Sequence, residues 1–209
     1  MELMARYPDG YFDLAIVDPP YGYGDKKTNI LNFRQKEQHR EWNTAPTDSY
    51  FLELFRVTKN QIIWGGNYFL NHIGNTRSFL IWDKLNPDRC FADCEFAWNS
   101  TDQVARIFKG RPQELNKKDN GKIHPTQKPV PLYKWLLKNY ATPGDKILDT
   151  HAGSFSIGIA CWEMGFDLEA YEIDKDYHAA ALKRFKERTS QGRLFVPQKE
   201  EFVQTSLLE

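Results

Sequence analysis

An α/β fold on a mostly parallel sheet is what this 209-residue sequence predicts, and three observations predict it. Short apolar runs recur along the chain and stop abruptly at Gly, Pro, Asn or Asp. Segments with helical spacing of apolar residues alternate with those runs. Polar residues suited to binding a ligand stand directly after three of the runs, where open parallel sheets carry their ligand sites.

In order, residues 11–17 end in the apolar run of a buried strand, which Asp18-Pro19-Pro20-Tyr21-Gly22 stops. Residues 22–45 are polar and read as a long loop. Thr47 or Asp48 caps a helix whose apolar positions are Phe51, Leu52, Leu54 and Phe55. Residues 61–64 form a second buried strand ended by Gly65-Gly66-Asn67. Residues 79–82 form a third and residues 95–98 a fourth. Residues 99–123 lack strong periodicity and read as loop. Leu132, Trp135, Leu136 and Tyr140 are spaced for one helix face, broken by Pro143-Gly144-Asp145. A strand over 146–149, a helix over 156–164 closed by Gly165, a strand over 168–172 and a helix over 175–188 complete the pattern. Trp64 and Trp82, at strand ends, read as core. Lys84 reads as a solvated charge, and His39, His72 and His178 as surface or cap residues. One domain over 1–190 and a polar tail over 191–209 are expected.

Composition bounds the function. With 41% hydrophobic and 27% charged residues the chain is globular, so general disorder is excluded. No apolar run approaches the roughly 20 residues that span a bilayer, and the N-terminus is too short and polar for a signal peptide. Three cysteines, Cys90, Cys94 and Cys161, cannot all pair, which suggests a reducing cytoplasm. Their spacing gives no zinc set, and no metal is expected. The net charge is zero, yet residues 101–150 hold ten of the 28 basic side chains and only five of the 28 acidic ones. Arg106, Lys109, Arg111, Lys117, Lys118 and Lys122 cluster there, and a second basic stretch holds Lys26, Lys27, Arg34, Lys36 and Arg40. Both read as loops, serving solubility or contact with phosphates.

Three turns carry the chemistry. Asp149-Thr150-His151-Ala152-Gly153-Ser154 follows one strand, and Glu172-Ile173-Asp174 follows the next. Small residues after Asp149 let a ligand approach the backbone and the next helix N-terminus. An acid at the position of Glu172 can take both hydroxyls of a ribose. The turn lacks the Lys-Ser/Thr ending of a phosphate loop, so a ribose cofactor without phosphate fits best. In Asp18-Pro19-Pro20-Tyr21 the prolines fix the backbone beyond a buried strand. A carboxylate, a main-chain carbonyl and an aromatic face are thereby held in one geometry, suited to a planar ring with an exocyclic amine. A proline-stiffened turn packed by an aromatic is the structural alternative.

On these residues the chain resembles the amino-methylating DNA methyltransferases, which act on adenine N6 or cytosine N4 with S-adenosylmethionine. Asp18-Pro19-Pro20-Tyr21 matches their catalytic motif, Asp149 to Ser154 their cofactor turn, and Glu172 with Asp174 their ribose-binding acids. His124-Pro125-Thr126-Gln127-Lys128-Pro129 resembles the motif lining the methionine part of the cofactor pocket, through His124, Thr126 and Lys128. The motif order is that of the circularly permuted β group, and the size that of phage and mobile-element enzymes. The resemblance implies a Rossmann-like fold with a seven-stranded sheet, one strand antiparallel, and helices on both faces. It implies that a flipped base lies beside Tyr21, that Asp18 and the Pro19 carbonyl accept from its amine, and that methyl transfer is direct, without a covalent enzyme intermediate.

Three departures stand out. The family's cofactor turn continues Gly-Ser-Gly, whereas here Gly153-Ser154-Phe155 puts a phenyl ring where the backbone meets the cofactor. His151 stands where Phe is common. The chain also starts just past the place where the family carries a short strand ending in an acid near the cofactor's adenine. An aspartate at position 18 favours adenine-N6. Cytosine-N4 methylation, an RNA substrate, and a non-catalytic pseudo-methyltransferase that binds nucleic acid are the alternatives. DNA is the expected partner, held through Arg106, Lys109, Arg111, Lys117 and Lys118. Residues 99–123 form a short target-recognition segment, and the target sequence is expected to be short. A homodimer is left open. Gln191-Gly192-Arg193-Leu194-Phe195 resembles peptides that dock on the bacterial sliding clamp, and the alternative is a last edge strand.

Overall fold

The computed structural model describes residues 2–22, 44–86, 92–117, 123–124 and 126–190. The loop expected over 22–45 lies almost wholly outside them, as do Cys90, Lys118, Lys122, Pro125 and the tail with Gln191–Phe195.

Among the described residues, seven strands and six α-helices follow in the order β1 (Phe12–Val17), α1 (Asp48–Val57), β2 (Thr58–Trp64), α2 (Leu70–Ile73), β3 (Leu80–Asp83), β4 (Cys94–Asn99), β5 (Arg106–Lys109), α3 (Pro112–Lys117), α4 (Val130–Tyr140), β6 (Lys146–Asp149), α5 (Ser156–Met164), β7 (Asp167–Ala170) and α6 (Lys175–Thr189). The strands form one sheet in the order β5-β3-β4-β2-β1-β6-β7. β4 runs antiparallel to both neighbours, and every other pairing is parallel.

The two-residue period of β1 divides the core. Leu14 and Ile16 point to one face with Ile62, Trp64, Leu132, Leu136, Ile157 and Ala160, so α4 and α5 cover it. Ala15 and Val17 point to the other with Phe51, Leu54, Val57 and Ile63, so α1 covers that one. Helices on both faces bury residues 14–17, 61–64 and 147–149 of the central strands, which is why those stretches read as apolar runs. Trp64 and Trp82 are core, as expected.

Three expectations need correction. The basic segment is not loop: residues 106–109 pair in parallel with β3, and residues 112–117 form α3. An edge strand is buried from few directions, so charged Arg106 and Lys109 fit at its ends and hide the pattern. The seventh strand is therefore β5, and among the described residues no strand pairs with the outer side of β7. Thr47 occupies the N-cap of α1 without a capping side-chain bond, its hydroxyl meeting that of Ser49 at 2.8 Å. Lys84 is not a solvated charge. Its side chain is largely buried and ion-paired to Glu95 at 2.6 Å.

Candidate active site at the carboxyl ends of the strands

The chain runs from β1 to β2 on one side and places β6 on the other, so the sheet's switch point lies between β1 and β6. Asp18 follows β1, the Asp149–Ser154 turn follows β6, and Glu172 lies two residues beyond β7. Strand order brings these motifs to one edge although Asp18 and Glu172 are 154 positions apart in sequence.

Asp18 sits inside a charged cluster. Its Oδ1 accepts from the Tyr21 hydroxyl at 2.9 Å, and its Oδ2 accepts from the Lys128 ammonium. Lys128 is 4% exposed, lies 5.1 Å from the centre of the Trp64 ring, and reaches Glu95 Oε2 at 3.2 Å. Burial alone would drive its ammonium toward neutrality, but Asp18 and Glu95 outweigh that and hold its pKa above the ordinary lysine value. Burial likewise opposes ionisation of Glu95, and the attraction of Lys128 and Lys84 brings its pKa down to about 2.

The Tyr21 ring lies 4.7 Å from Tyr68, tilted by 37°. It also presses on Gly65, where a Cβ would stand 2.1 Å from Tyr21 Cε1. Gly65 has φ +67°, in the left-handed region that glycine enters freely. The Gly65-Gly66 turn after β2 is thus shaped to seat Tyr21. Burial pushes the Tyr21 phenol pKa upward, so it remains a hydrogen-bond donor.

The cofactor turn is held from three sides. The Glu172 carboxylate accepts from Gly153 N–H and from Asp174 N–H, each at 2.8 Å. Arg184, buried on α6, donates to the Ser154 carbonyl at 2.8 Å and to the Ser156 hydroxyl at 3.0 Å. His124 packs on the open side of Gly153, 3.7 Å from where a Cβ would stand. Asp149 is fully buried and accepts from His151 N–H. Burial raises its pKa to about 8, with the nearby charges of Asp18 and Glu172 adding to the rise. His151 is neutral, its pKa lowered to about 4 by burial, and its Nδ1 meets the Thr150 hydroxyl at 2.9 Å.

Phe155 has φ +58° and ψ +31°, a left-handed conformation that costs a non-glycine residue roughly 1–2 kcal/mol. Its ring packs 5.2 Å from Phe185 of α6 and over Gly158 of α5. The turn keeps the backbone path that glycine would give.

Asp174 serves the fold: its Oδ1 caps α6 by accepting from the N–H groups of Asp176 and Tyr177. Thr126 is exposed, with its hydroxyl 3.1 Å from His124 Nδ1. Gln127, unremarked in the sequence, is buried. It accepts from Ile123 N–H and donates to Asn116 of α3, tying the basic segment to the 123–128 turn. Arg106, Lys109, Arg111 and Lys117 are on β5, on α3 or between them. All four are exposed, and Arg111 pairs with Glu114 at 3.3 Å. Lys118 lies outside the described residues. The sequence does not single out Glu95, and it gives Lys84 only as a solvated charge. The signal available was a Glu beside an aromatic strand and a Lys directly after another.

Among the described residues no three His, Cys, Asp or Glu side chains converge to hold a metal. No described helix is long and apolar enough to cross a membrane. Cys161 is buried, which raises its thiol pKa, and Cys94 is half-buried.

The sheet order and the cluster of turns at its carboxyl edge define the class: a Rossmann-like α/β methyltransferase fold. The fold matches that of the M1.HpyAVI–SAM complex, at TM-score 0.57 and 22% identity over 87% of this chain and 92% of that one. It also matches PvuII DNA methyltransferase (cytosine-N4-specific), at TM-score 0.57 and 15% identity over 90% of this chain and 87% of that one. A family profile described as DNA methylase, for the N6/N4 enzymes, matches residues 81–183. The DNA adenine methyltransferase YhdJ of Escherichia coli (strain K12) is 38% identical over 233 aligned positions, covering 87% of this chain and 78% of its own. The chain belongs to the N6/N4 DNA methylase family.

Proposed function

We propose that the protein is a DNA methyltransferase of the permuted β group that methylates the exocyclic N6 of a flipped adenine. The observation that carries the reading is the placement of Asp18, Pro19 and Tyr21 beside the Gly153–Glu172 turn at one sheet edge. Two facts favour adenine over cytosine: an aspartate at position 18, and 38% identity to a relative named for adenine.

The cofactor is S-adenosylmethionine, and the residues present fit it. Glu172 keeps unshared lone pairs after its two backbone bonds, enough for ribose hydroxyls. Gly153 puts no side chain into the turn, where the His124 ring approaches it, and the Phe155 ring packs on Phe185 and Gly158. His124 packs against Gly153 of the same turn, and Thr126 meets His124. Bound there, the cofactor supplies an electrophilic methyl group. Tyr21, braced by Tyr68 and Gly65, stacks on the flipped base. Asp18 and the Pro19 carbonyl accept the two amine hydrogens and turn the nitrogen lone pair out of the ring plane. The Asp18 carboxylate also stabilises the positive charge that develops on the nitrogen. No thiol takes part.

Mass analysis of nucleosides from the DNA of an expressing host tests the reading. Wild type yields N6-methyladenine, and Asp18→Ala keeps less than roughly a hundredth of that activity. N4-methylcytosine in its place would move the assignment to cytosine. Unmodified DNA from a protein that binds nucleic acid would favour the pseudo-enzyme.

A further inference from the structure

Asp18, Lys128, Glu95 and Lys84 form a chain of alternating charges that reaches from the β1 terminus to the β3–β4 hairpin. β4 is the antiparallel strand, so its first residues lie where the parallel strands end. That reversal delivers Glu95 to the same edge as Asp18. The Lys128 ammonium has three donors; one is given to Asp18 and one to Glu95. Glu95 is in turn fixed on its other oxygen by Lys84, which lies 5.3 Å from the centre of the Trp82 ring.

We propose that Glu95 is a positioning residue for methyl transfer: it draws the Lys128 ammonium to one oxygen of Asp18, leaving the Tyr21-bound oxygen free to accept the base amine. The inference rests on the role given to Asp18 above. Two carboxylates and two ammonium groups balance. Without the Glu95 charge, Lys128 has Asp18 as its one remaining carboxylate partner among the contacts described. The ammonium, already bonded to Asp18, is then no longer shared with a second carboxylate, so it neutralises the acceptor more fully and competes with the amine. Because Lys128 also belongs to the turn beside the cofactor, this chain connects the acceptor carboxylate to the methyl-donor side of the pocket.

Steady-state methylation of duplex DNA by purified wild type, Glu95→Gln, Glu95→Asp and Asp18→Ala decides the matter. Glu95→Gln is expected to lower kcat about tenfold or more, as small misplacements of reacting groups do. The cofactor dissociation constant, read by calorimetry, should stay within about threefold. Glu95→Asp keeps the charge and should regain at least about threefold over Glu95→Gln. A folded Glu95→Gln with the kcat of wild type overturns the inference while active wild type and inactive Asp18→Ala leave the proposed function standing. Inactive wild type, or active Asp18→Ala, overturns both. Should Glu95→Gln not fold, Lys84→Met carries the test. It frees Glu95 from the other side and should lower kcat about threefold or more at unchanged cofactor affinity, and an unchanged kcat overturns the inference.

Discussion

Replacing Gly65 by alanine probes the seat of Tyr21 most directly. The new methyl carbon would stand 2.1 Å from Tyr21 Cε1 and 2.6 Å from Cζ. Carbon atoms rest about 3.5 Å apart or more, so the ring must retreat by roughly 1.4 Å. Retreat is blocked by Tyr68 at 4.7 Å, and it pulls the hydroxyl away from Asp18, now 2.9 Å distant. The left-handed backbone adds roughly 1–2 kcal/mol of strain for alanine. Overpacking of this kind typically adds about 1–3 kcal/mol. The expected loss is about 2–5 kcal/mol, or roughly 4–20 °C in Tm for a chain of this length. Differential scanning calorimetry reads the stability. Methylation of a duplex, compared with calorimetric cofactor affinity, reads the site. Activity should fall at least about tenfold while cofactor affinity holds, because the cofactor turn lies beyond β6. A variant with wild-type Tm and wild-type kcat would refute the account of Gly65.

Phe155→Gly should leave the cofactor dissociation constant within about threefold of wild type, since the ring packs on Phe185 and Gly158. Its Tm should fall, because relief of roughly 1–2 kcal/mol of strain does not offset the lost ring contacts; calorimetry reads both. Asp149, with its pKa raised to about 8, keeps its proton in the fold while the unfolded chain releases it near pH 3.8. Its contribution to stability is therefore complete below pH 3.8, declines as pH rises, and is gone above about pH 8. Asp149→Asn should flatten the Tm-versus-pH curve of the cofactor-free protein across that window, and an unchanged slope would contradict the assignment. Neutralising Arg106, Lys109 and Arg111 together should weaken DNA binding across sequences and reduce the salt slope by about 2–3, measured by fluorescence anisotropy.

Much of this architecture is legible in the sequence because it depends on apolar spacing. Residues 156–164 read as a helix closed by Gly165, and α5 has those bounds. Five of the seven strands read as short apolar runs because both sheet faces are covered along them, whereas in β7 half-buried Leu168 and Ala170 alternate with exposed Asp167 and Glu169. β5 did not, since an edge strand of four residues with exposed Arg106 and Lys109 carries little pattern. The motif-bearing turns were legible because Pro, Gly and acidic residues break apolar runs sharply. The Glu95–Lys128 contact was not. It joins residues 33 positions apart, and a charge paired in a core has the same letter as a charge in water. Only the strand reversal at β4 makes the two meet.

The left-handed Phe155 also bears on how this turn is read in other sequences. Its ring lies where a Cβ on Gly158 would come within 2.2 Å of it. Glycine has in effect moved one helical turn along the chain, from the position that needs backbone freedom to the one that must make room for the ring. Positions 155 and 158 are then a coupled pair with two self-consistent settings. Either 155 is glycine and 158 is free to carry a side chain, or 155 is aromatic and 158 is glycine. An aromatic at 155 with a side chain at 158 is the forbidden combination. A search for this turn that insists on Gly-Ser-Gly would pass over chains built in the second setting.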